Sequence, residues 1–285
     1  MLSELYKRLQ SCSLCPRRCG VDRTRGERGF CGGGMLPWVA SFHPHFGEEE
    51  ILSGFRGSGT IFFSGCNMAC VYCQNYTISH FREGMELTVE DLAAIMLALE
   101  KRGCHNINLV TPTHFTPQIF DALTLARKRG LSVPLVYNTS GYEDLEVLRS
   151  LRGLVDIYLP DMRYSKEESA IRYSQAPQYP KVCREAICEM FAQVGNVVLN
   201  EEGVARRGLI VRILIIPSLE DEAKDNLRFL ATSVSRDVYV TLLRQYRPLY
   251  RAREFPEIAK VVSDQVYRDV LEYGRSLGLH NFILQ

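Results

Sequence analysis

The sequence has no long hydrophobic run and no excess of charge of one sign. Its most apolar stretch, Leu209 to Pro217, is short and contains Arg212, so it cannot span a bilayer. The net charge is +1 at pH 7, with 34 Lys and Arg against 33 Asp and Glu. Neither property indicates a membrane surface or a nucleic acid as partner, and we expect neither.

The first residues also lack the basic, apolar and small-residue regions of a secretory leader. Met1 to Gln10 is predicted instead to form a short amphipathic helix. The chain nevertheless contains ten cysteines, which in a small secreted protein would indicate disulfides. Without a leader we expect a reducing cytoplasm, where clustered cysteines more often hold metals or clusters.

A chain of 285 residues, 46% of them hydrophobic, is long enough to bury one substantial core. We expect residues 1–58 to form a cysteine-rich, metal-binding extension and linker. Residues 59–285 are then left for a single α/β domain. Within the extension, Met35 to Gly59 is rich in Gly, Pro and His and is predicted to be a linker packed beside the following strand.

Three cysteines, Cys66, Cys70 and Cys73, have the spacing C-x3-C-x2-C. The run Thr60 to Phe63 before them is predicted to be a buried strand that delivers the loop at its carboxyl end. Short spacers let one loop present three thiolates to a single iron–sulfur cluster, with one iron left without a protein ligand. The alternatives are a zinc knuckle with a fourth ligand from elsewhere, or three cysteines packed as small hydrophobic residues.

A second group of cysteines lies near the N-terminus with spacing C-x2-C-x3-C-x11-C: Cys12, Cys15, Cys19 and Cys31. Four thiolates can enclose one tetrahedral metal completely, so such a site would be closed. Zinc, an auxiliary iron–sulfur cluster and unliganded cysteines in a flexible arm are the three interpretations, because spacing alone does not select the metal. The other cysteines, Cys104, Cys183 and Cys188, are predicted to be buried.

After the triplet, strand and helix patterns alternate to the C-terminus. With the strand before the triplet they make about six βα units, whose connections require a parallel sheet. Six units are too few for a closed eight-stranded barrel, and a partial, open (β/α)6 barrel fits. The later strands are predicted at Ile107 to Val110, Val133 to Tyr137, Val155 to Leu159, Gly208 to Ile216 and Val238 to Leu243.

The triplet, with Tyr72 before its last cysteine and a strand in front, resembles the radical S-adenosylmethionine (radical SAM) superfamily. The resemblance implies that Cys66, Cys70 and Cys73 hold a [4Fe-4S] cluster and that SAM chelates the fourth iron. It also implies a flavodoxin- or ferredoxin-type electron donor and reductive cleavage of SAM to a 5'-deoxyadenosyl radical, which abstracts hydrogen from a substrate. The partial barrel is the fold of this superfamily.

The strand ends narrow the resemblance to the glycyl-radical-enzyme activating enzymes, the relatives of pyruvate formate-lyase activating enzyme. Taken with Gln74 and Asn75 after Cys73, these features resemble the PflX-type subgroup of that family. Asn138 to Gly141 is similar to their Asp-Thr-Asn-Gly turn, Asp161 to Arg163 to their Asp-hydrophobic-Lys, and Gly208 to Arg212 to their fifth strand. The family's Gly-Gly-Glu is replaced by Thr111 to His114, whose hydroxyl and carbonyl oxygens could accept the same hydrogen bonds. The residues that the resemblance places near SAM are Tyr72, Thr111, Thr113, Asn138, Thr139, Asp161, Arg163 and Arg212.

Two of these residues have ordinary alternatives, since Asp161 could cap a helix and Arg163 could be a surface charge. The functional expectation is an enzyme that installs a glycyl radical on a protein partner. Radical modification of a small molecule or of another protein side chain is the second hypothesis. The third is a non-catalytic iron–sulfur or zinc scaffold protein.

Overall fold

A computed structural model describes residues 2–285, in which strands and helices alternate. The strands are β1 (Trp38–His45), β2 (Ser58–Phe63), β3 (Met85–Glu86), β4 (Ile107–Val110), β5 (Leu135–Thr139), β6 (Ile157–Pro160), β7 (Val198–Leu199), β8 (Ala205–Leu214), β9 (Tyr239–Leu243) and β10 (Phe282–Leu284). The helices are α1 (Leu2–Lys7), α2 (Glu50–Ser53), α3 (Tyr76–Ser79), α4 (Val89–Lys101), α5 (Thr116–Lys128), α6 (Leu145–Ser150), α7 (Glu167–Ser174), α8 (Tyr179–Val194), α9 (Glu220–Phe229) and α10 (Asp264–Ser276).

The strands form a sheet in the order β10-β9-β8-β6-β5-β4-β2-β1-β3, with β7 paired to β8. The run from β2 to β10 is parallel, whereas β1 is antiparallel to β2 and to β3. Within residues 2–285 the two ends of the order, β10 and β3, do not pair with each other, so the sheet is open. The predicted α/β fold with a partial, open (β/α)6 barrel is confirmed.

The six predicted core strands are present as β2, β4, β5, β6, β8 and β9. Helix α4 begins with a capping box. Thr88 accepts a hydrogen bond from the backbone N–H of Asp91, and the Asp91 carboxylate accepts one from the backbone N–H of Thr88. This reciprocal capping box satisfies backbone donors that would otherwise have no partner at a helix start.

Other boundaries differ from the prediction. The helix expected from Met1 to Gln10 is α1, which ends at Lys7, and Met1 lies outside the described residues. The last helix, α10, begins at Asp264, where Ser263 caps it by accepting from the N–H of Val266. The predicted linker from Met35 to Gly59 lies beside β2 as expected, but it contains strand β1 and helix α2.

Successive side chains of a strand point to opposite faces of the sheet, so that two apolar layers form, one on each face. On β6, Tyr158 packs in the large cluster between the sheet and the outer helices, whereas Ile157 and Leu159 face the inside of the bowl. Leu52 of α2 joins the inner layer together with Ile210 of β8. The segment before β2 therefore fills part of the interior of the open barrel, and the carboxyl ends of the strands remain uncovered by it.

Candidate active site

The three triplet cysteines lie on the loop after β2, at the carboxyl edge of the sheet. They line one cavity, the triplet cavity, which has a volume of about 130 Å³. Six of the residues expected near SAM share its wall: Thr111, Asn138, Thr139, Asp161, Arg163 and Arg212. The parallel topology thus brings the ends of four strands to the same place as the thiols.

Backbone hydrogen bonds hold the triplet loop against distant parts of the chain. The N–H groups of Ala69 and Val71 donate to the carbonyls of Ser174 and Tyr173, both at 2.9 Å. From the other side, the N–H of Arg251 donates to the carbonyl of Val71 at 2.8 Å. The loop is therefore fixed between the end of α7 and the segment after β9.

Side chains from separate elements contact the triplet sulfurs. The Ser174 hydroxyl lies 2.9 Å from Sγ of Cys70, and Nη1 of Arg163 donates to the same sulfur at 3.4 Å. The Ser79 hydroxyl lies 3.1 Å from Sγ of Cys73. Donors to a thiolate stabilise its negative charge, so these groups are placed to tune a centre held by Cys70 and Cys73.

Asp161 is the centre of a charged network on the cavity wall. Its carboxylate accepts from Nε of Arg212 at 2.7 Å and from Arg163, and Arg212 also donates to Asn138. Burial alone would raise the pKa of Asp161, but Arg212 and Arg163 outweigh it and lower that pKa. The surface and helix-cap alternatives for these residues do not describe this arrangement, because Asp161 and Arg163 are paired inside the cavity.

Glu48 reaches the same network from the N-terminal extension. Its Oε2 lies 3.6 Å from Nη1 of Arg212. Burial raises the pKa of Glu48 to about 7, although Arg212 acts in the opposite direction. Glu48, which precedes the barrel in the sequence, thus forms an ion pair with Arg212 on the fifth core strand.

Thr113 and Tyr72 are not brought to the wall of the triplet cavity. The Thr113 hydroxyl is buried and donates to the Glu143 carboxylate at 2.5 Å. The Tyr72 hydroxyl lies 2.6 Å from that of Tyr164, which in turn forms a hydrogen bond with the Ser174 hydroxyl. Since Ser174 contacts Sγ of Cys70, a chain of hydrogen bonds connects Tyr72 to that thiol.

Glu143 accepts hydrogen bonds from three hydroxyls, those of Thr113, Thr139 and Tyr137. Burial raises its pKa to about 7, and the hydroxyl donors only partly oppose this. The hydrogen bond to Glu143 thereby fixes the Thr139 side chain at the wall of the triplet cavity. Glu143 positions the turn after β5.

Two backbone positions shape the rim. Thr111 has φ of 60°, in the left-handed region that a β-branched residue rarely adopts. Gly141 has φ of 76°, and a Cβ on it would lie 2.6 Å from the carbonyl oxygen of Asp161. Only glycine lets the turn after β5 approach the end of β6 so closely.

A second cavity, the adjoining groove, shares Cys73, Asp161, Arg163 and Arg212 with the triplet cavity. It continues along the ends of β8 and β9 to three polar residues: Gln74, Gln245 and Arg247. The Gln74 side chain donates to the carbonyl of Gln245 at 3.2 Å. The thiols therefore lie where two polar-walled spaces meet.

The four N-terminal cysteines line a separate cavity, the N-terminal cavity. Cys12, Cys15 and Cys31 are buried and Cys19 is exposed, and all four are free thiols. Burial and the neighbouring thiols raise the pKa of Cys15 above its usual range. The structure thus brings together the four residues that the spacing grouped.

The predicted burial of Cys104 and Cys183 is confirmed, whereas that of Cys188 was wrong because its side chain is exposed. Cys183 and Cys188 are five residues apart on α8, so they point to different sides of the helix. Cys183 faces the sheet, where its Sγ lies 3.7 Å from the carbonyl oxygen of Asp161.

Sequence reasoning missed several residues that contact the site: Glu48, Ser79, Ser140, Glu143 and Ser174. Ser140 had a usable signal, since it lies in the quoted turn after β5, and its buried hydroxyl has no hydrogen-bond partner among the described residues. Ser174 and Glu48 had none, because they reach Cys70 and Arg212 from segments about 100 and 160 residues away in the chain.

The fold and this cavity define an α/β barrel protein with a cysteine-based cofactor site at the carboxyl edge of its sheet. Residues 60–230 match the radical SAM superfamily, and the chain belongs to that superfamily. Membership implies a [4Fe-4S] cluster and SAM as cofactors.

The residues present fit those cofactors. The three triplet thiols line one cavity, from which they can face a single cluster. Buried polar atoms on its wall, Nε of Arg163 and Oγ of Ser140, have no protein partner in the described chain and are available to a polar ligand.

The chain is 27% identical over 277 residues to Uncharacterized protein MJ0674 of Methanocaldococcus jannaschii, which covers 95% of this chain and 76% of that protein. Its fold is similar to that of the FeFe-hydrogenase maturase HydG from Carboxydothermus hydrogenoformans, with a TM-score of 0.55 and 12% identity over 80% of this chain and 52% of that one. Streptococcus suis SuiB bound to precursor peptide SuiA gives a TM-score of 0.52 and 11% identity, over 78% and 46%. The chain thus spans about half the length of these two solved proteins, and the likeness is one of fold.

No helix within residues 2–285 is both long enough and apolar enough to cross a membrane.

Proposed function

We propose that the protein is a radical SAM enzyme that installs a glycyl radical on a protein partner. The observation that carries the radical SAM part is one shared cavity, in which three thiols from the loop after β2 meet the polar ends of four parallel strands. The choice of a glycyl radical enzyme as partner rests on the resemblance of the strand ends to the activating enzymes. Radical modification of a different substrate is the competing function.

The chain's own residues would have distinct tasks. Cys66, Cys70 and Cys73 hold the cluster, which when bound would supply the electron for reductive cleavage of SAM to a 5'-deoxyadenosyl radical. Arg163 and Arg212 present guanidinium groups to the SAM carboxylate, and Asp161 fixes their orientation.

The wall residues also control access. Phe63 and Met68 supply apolar surface at the triplet cavity and help to exclude water. The adjoining groove gives a substrate segment a path past Arg247 and Gln245 to the thiol side of the cavity. An extended peptide in this groove would pass the side chains of Gln245 and Arg247.

We also propose a flavodoxin- or ferredoxin-type electron donor and a reducing cytoplasm as the location, since ten free thiols would be oxidised elsewhere. The N-terminal cysteines are proposed to bind metal, as zinc or as an auxiliary iron–sulfur cluster. Neither a nucleic acid nor a membrane surface is part of the proposal.

The test begins with protein reconstituted anaerobically with iron and sulfide, then given dithionite and SAM. We expect 5'-deoxyadenosine and methionine as products. With a purified glycyl radical enzyme added, we expect the doublet of a glycyl radical in electron paramagnetic resonance. Cys188→Ala, which removes an exposed cysteine on α8, is the matched control and should behave as wild type.

Two failures have different meanings. An intact cluster with bound SAM but no 5'-deoxyadenosine would overturn the enzymatic proposal. Formation of 5'-deoxyadenosine without a glycyl radical on any glycyl radical enzyme supplied would overturn the activating role and favour a different substrate.

A further inference from the structure

Cys66 is held differently from the other two cysteines of the triplet. Side chains from separate elements contact the sulfurs of Cys70 and Cys73. The sulfur of Cys66 accepts a hydrogen bond from within its own loop, from the backbone N–H of Met68 at 3.4 Å. The position of Cys66 therefore depends on how the backbone on either side of it is held.

The segment that leads into the triplet lies against the N-terminal extension. Gly65 has φ of 81°, and a Cβ on it would clash with the carbonyl oxygen of Cys31, so only glycine allows this approach. Nε2 of His114 lies 2.8 Å from the carbonyl oxygen of Ser64. That histidine is in turn fixed by the extension, because Nη1 of Arg23 donates to its carbonyl at 2.7 Å. The extension thus shapes the backbone before the first cysteine.

Arg17 of the extension holds the backbone on the other side of Cys66. Its Nε donates to the carbonyl of Asn67 at 2.8 Å, and its Nη2 donates to the carbonyl of Gln175. Asn67 is fully buried, and its side chain donates to the carbonyl of Tyr142 at 2.6 Å, so this residue is held from two directions. One guanidinium thus joins two carbonyls from distant parts of the chain.

The second of these carbonyls adjoins the support of Cys70. Gln175 follows Ser174, whose hydroxyl lies 2.9 Å from Sγ of Cys70. Arg17 therefore ties the backbone beside Cys66 to the backbone beside the residue that contacts Cys70. The separation of these two thiols thus depends on a side chain from outside the barrel.

The sequence around Arg17 presents its side chain in one direction. Cys15 to Arg18 forms a tight turn in which the N–H of Arg18 donates to the carbonyl of Cys15 at 3.0 Å, and Pro16 suits the second position of such a turn. The guanidinium carbon of Arg17 lies 3.5 Å from the centre of the Phe30 ring, a cation–π contact that limits its movement. The turn and the ring together hold the guanidinium at the triplet loop.

We propose that Arg17 is a positioning residue for Cys66 and sets the distance between Cys66 and Cys70 that a shared cluster requires. This inference rests on the proposed role of the triplet as cluster ligands, and it adds the N-terminal extension to that site. Arginine suits the task because its planar fork offers donors in a fixed geometry, whereas a lysine ammonium is a point charge on a flexible stem.

The first experiment follows Cys66 in the full chain without cofactors, where alkylation by iodoacetamide is measured by mass spectrometry of the peptides. Cys66 is half-buried in the folded protein. In Arg17→Met it should react about tenfold faster than in wild type, the factor that corresponds to one lost hydrogen bond to a charged group. Cys183, buried against the end of β6, is the internal reference and should keep its wild-type rate.

Arg18→Met is the matched control. Arg18 is the next residue of the same turn, but its guanidinium pairs with Asp144 at 2.9 Å. Cys66 in this variant should react at the wild-type rate. Arg17→Lys keeps the positive charge but cannot hold both carbonyls in a fixed geometry, so its Cys66 rate should lie between those of wild type and Arg17→Met.

The second experiment uses protein reconstituted anaerobically with iron and sulfide and then reduced. The part of the electron paramagnetic resonance signal that changes when SAM is added reports the triplet cluster, because SAM binds at its open iron. In Arg17→Met this part should be largely lost, since Cys66 and Cys70 are no longer held at one separation, and in Arg18→Met it should match wild type. A signal of wild-type size in Arg17→Met would contradict the positioning role.

An unchanged alkylation rate of Cys66 in Arg17→Met would overturn the inference, and so would an equal increase in Arg18→Met or at Cys183. A wild-type rate in Arg17→Lys would show that charge alone suffices, against a role for two fixed donors. If Arg17→Met does not fold, the comparison of Arg17→Lys with wild type and Arg18→Met decides. Alkylation needs neither cluster nor SAM, so a lack of 5'-deoxyadenosine from wild-type protein would count only against the proposed radical chemistry.

Discussion

The triplet cavity and the N-terminal cavity contain the same kind of ligand in different surroundings. Around the triplet, hydroxyl and guanidinium groups contact the sulfurs of Cys70 and Cys73, and the space opens into a second groove. In the N-terminal cavity, the N–H of Gly33 donates to Cys31 at 3.4 Å. The comparison shows that side-chain donors from separate elements reach two of the triplet sulfurs.

The arginines of the two cavities also differ in the groups to which they donate hydrogen bonds. At the triplet cavity, Arg163 and Arg212 share one carboxylate, Asp161, and line the same cavity as the thiols. At the N-terminal cavity, Arg23 is buried and donates to backbone carbonyls, including that of Gly34. The first arrangement is suited to recognising an anionic ligand, and the second to fixing the chain.

Replacing a cysteine of the triplet is expected to have the largest effect on activity. Cys70→Ala should reduce 5'-deoxyadenosine formation to the background level, because a cluster with one thiolate fewer is not retained. Iron analysis and product chromatography after anaerobic reconstitution measure this. Cys188→Ala is the control, and product formation by Cys70→Ala above background would contradict the ligand assignment.

The next effect concerns the charged network. Asp161→Asn leaves Arg163 and Arg212 close together without their shared carboxylate, and we expect the free energy of unfolding to fall by about 3 kcal/mol. Urea unfolding of the cofactor-free protein measures the change. Glu202→Gln, which breaks an exposed pair with Arg56, should cost less than about 1 kcal/mol, and equal losses in the two variants would refute the special role of Asp161.

A pH series tests Glu143. Because burial raises its folded-state pKa from the usual 4.5 to about 7, the folded state holds a proton that the unfolded state releases over this range. The stability from this group is thus present below pH 4.5 and is lost as the pH rises through 7. Glu143→Gln should make the decline of unfolding free energy with pH shallower by up to about 1.4 kcal/mol per pH unit.

Glu48 titrates in the same range and remains in that variant, so part of the decline should persist. Urea unfolding at several pH values from 5 to 8 gives the two slopes. Parallel slopes for wild type and Glu143→Gln would show that Glu143 is ionised in the folded protein.

The smallest expected effect is a change in reduction potential when the hydrogen bond from Ser174 to Cys70 is removed. Ser174→Ala removes a donor to Cys70 worth about 1 kcal/mol, which for one electron corresponds to roughly 40 mV. Donors stabilise the more negative, reduced cluster, so the variant's potential should be lower than that of wild type. A redox titration followed by electron paramagnetic resonance measures it, with Ser150→Ala on α6 as the control; an unchanged or raised potential would count against the hydrogen bond.

The sequence allowed the core of the fold to be predicted because the parallel strands are apolar, β-branched runs with helical patterns between them. Strand β1 was missed since it includes Pro44 and two histidines, and β10 because it has only three residues. Helix α7 was missed as well, because its eight residues are mostly polar. These elements owe their structure to neighbours and not to local preference.

At the site, topology was enough to predict which strand ends would meet, and six of the eight residues expected near SAM line the triplet cavity. Thr113 does not, because its side chain turns towards Glu143, which no pattern signals. The partners of the thiols could not be predicted for the same reason. They are defined by contacts between segments far apart in the chain, such as Ser174 with Cys70.

The hydrogen bonds of the triplet loop set an order of events during biosynthesis. Its cysteines leave the ribosome long before Tyr173, Ser174 and Arg251, the residues whose backbones give the loop its shape. Iron and sulfide delivered to the nascent chain would meet an unshaped loop. The hydrogen-bonded form of the loop is therefore complete only after the segment that follows β9 has been synthesised.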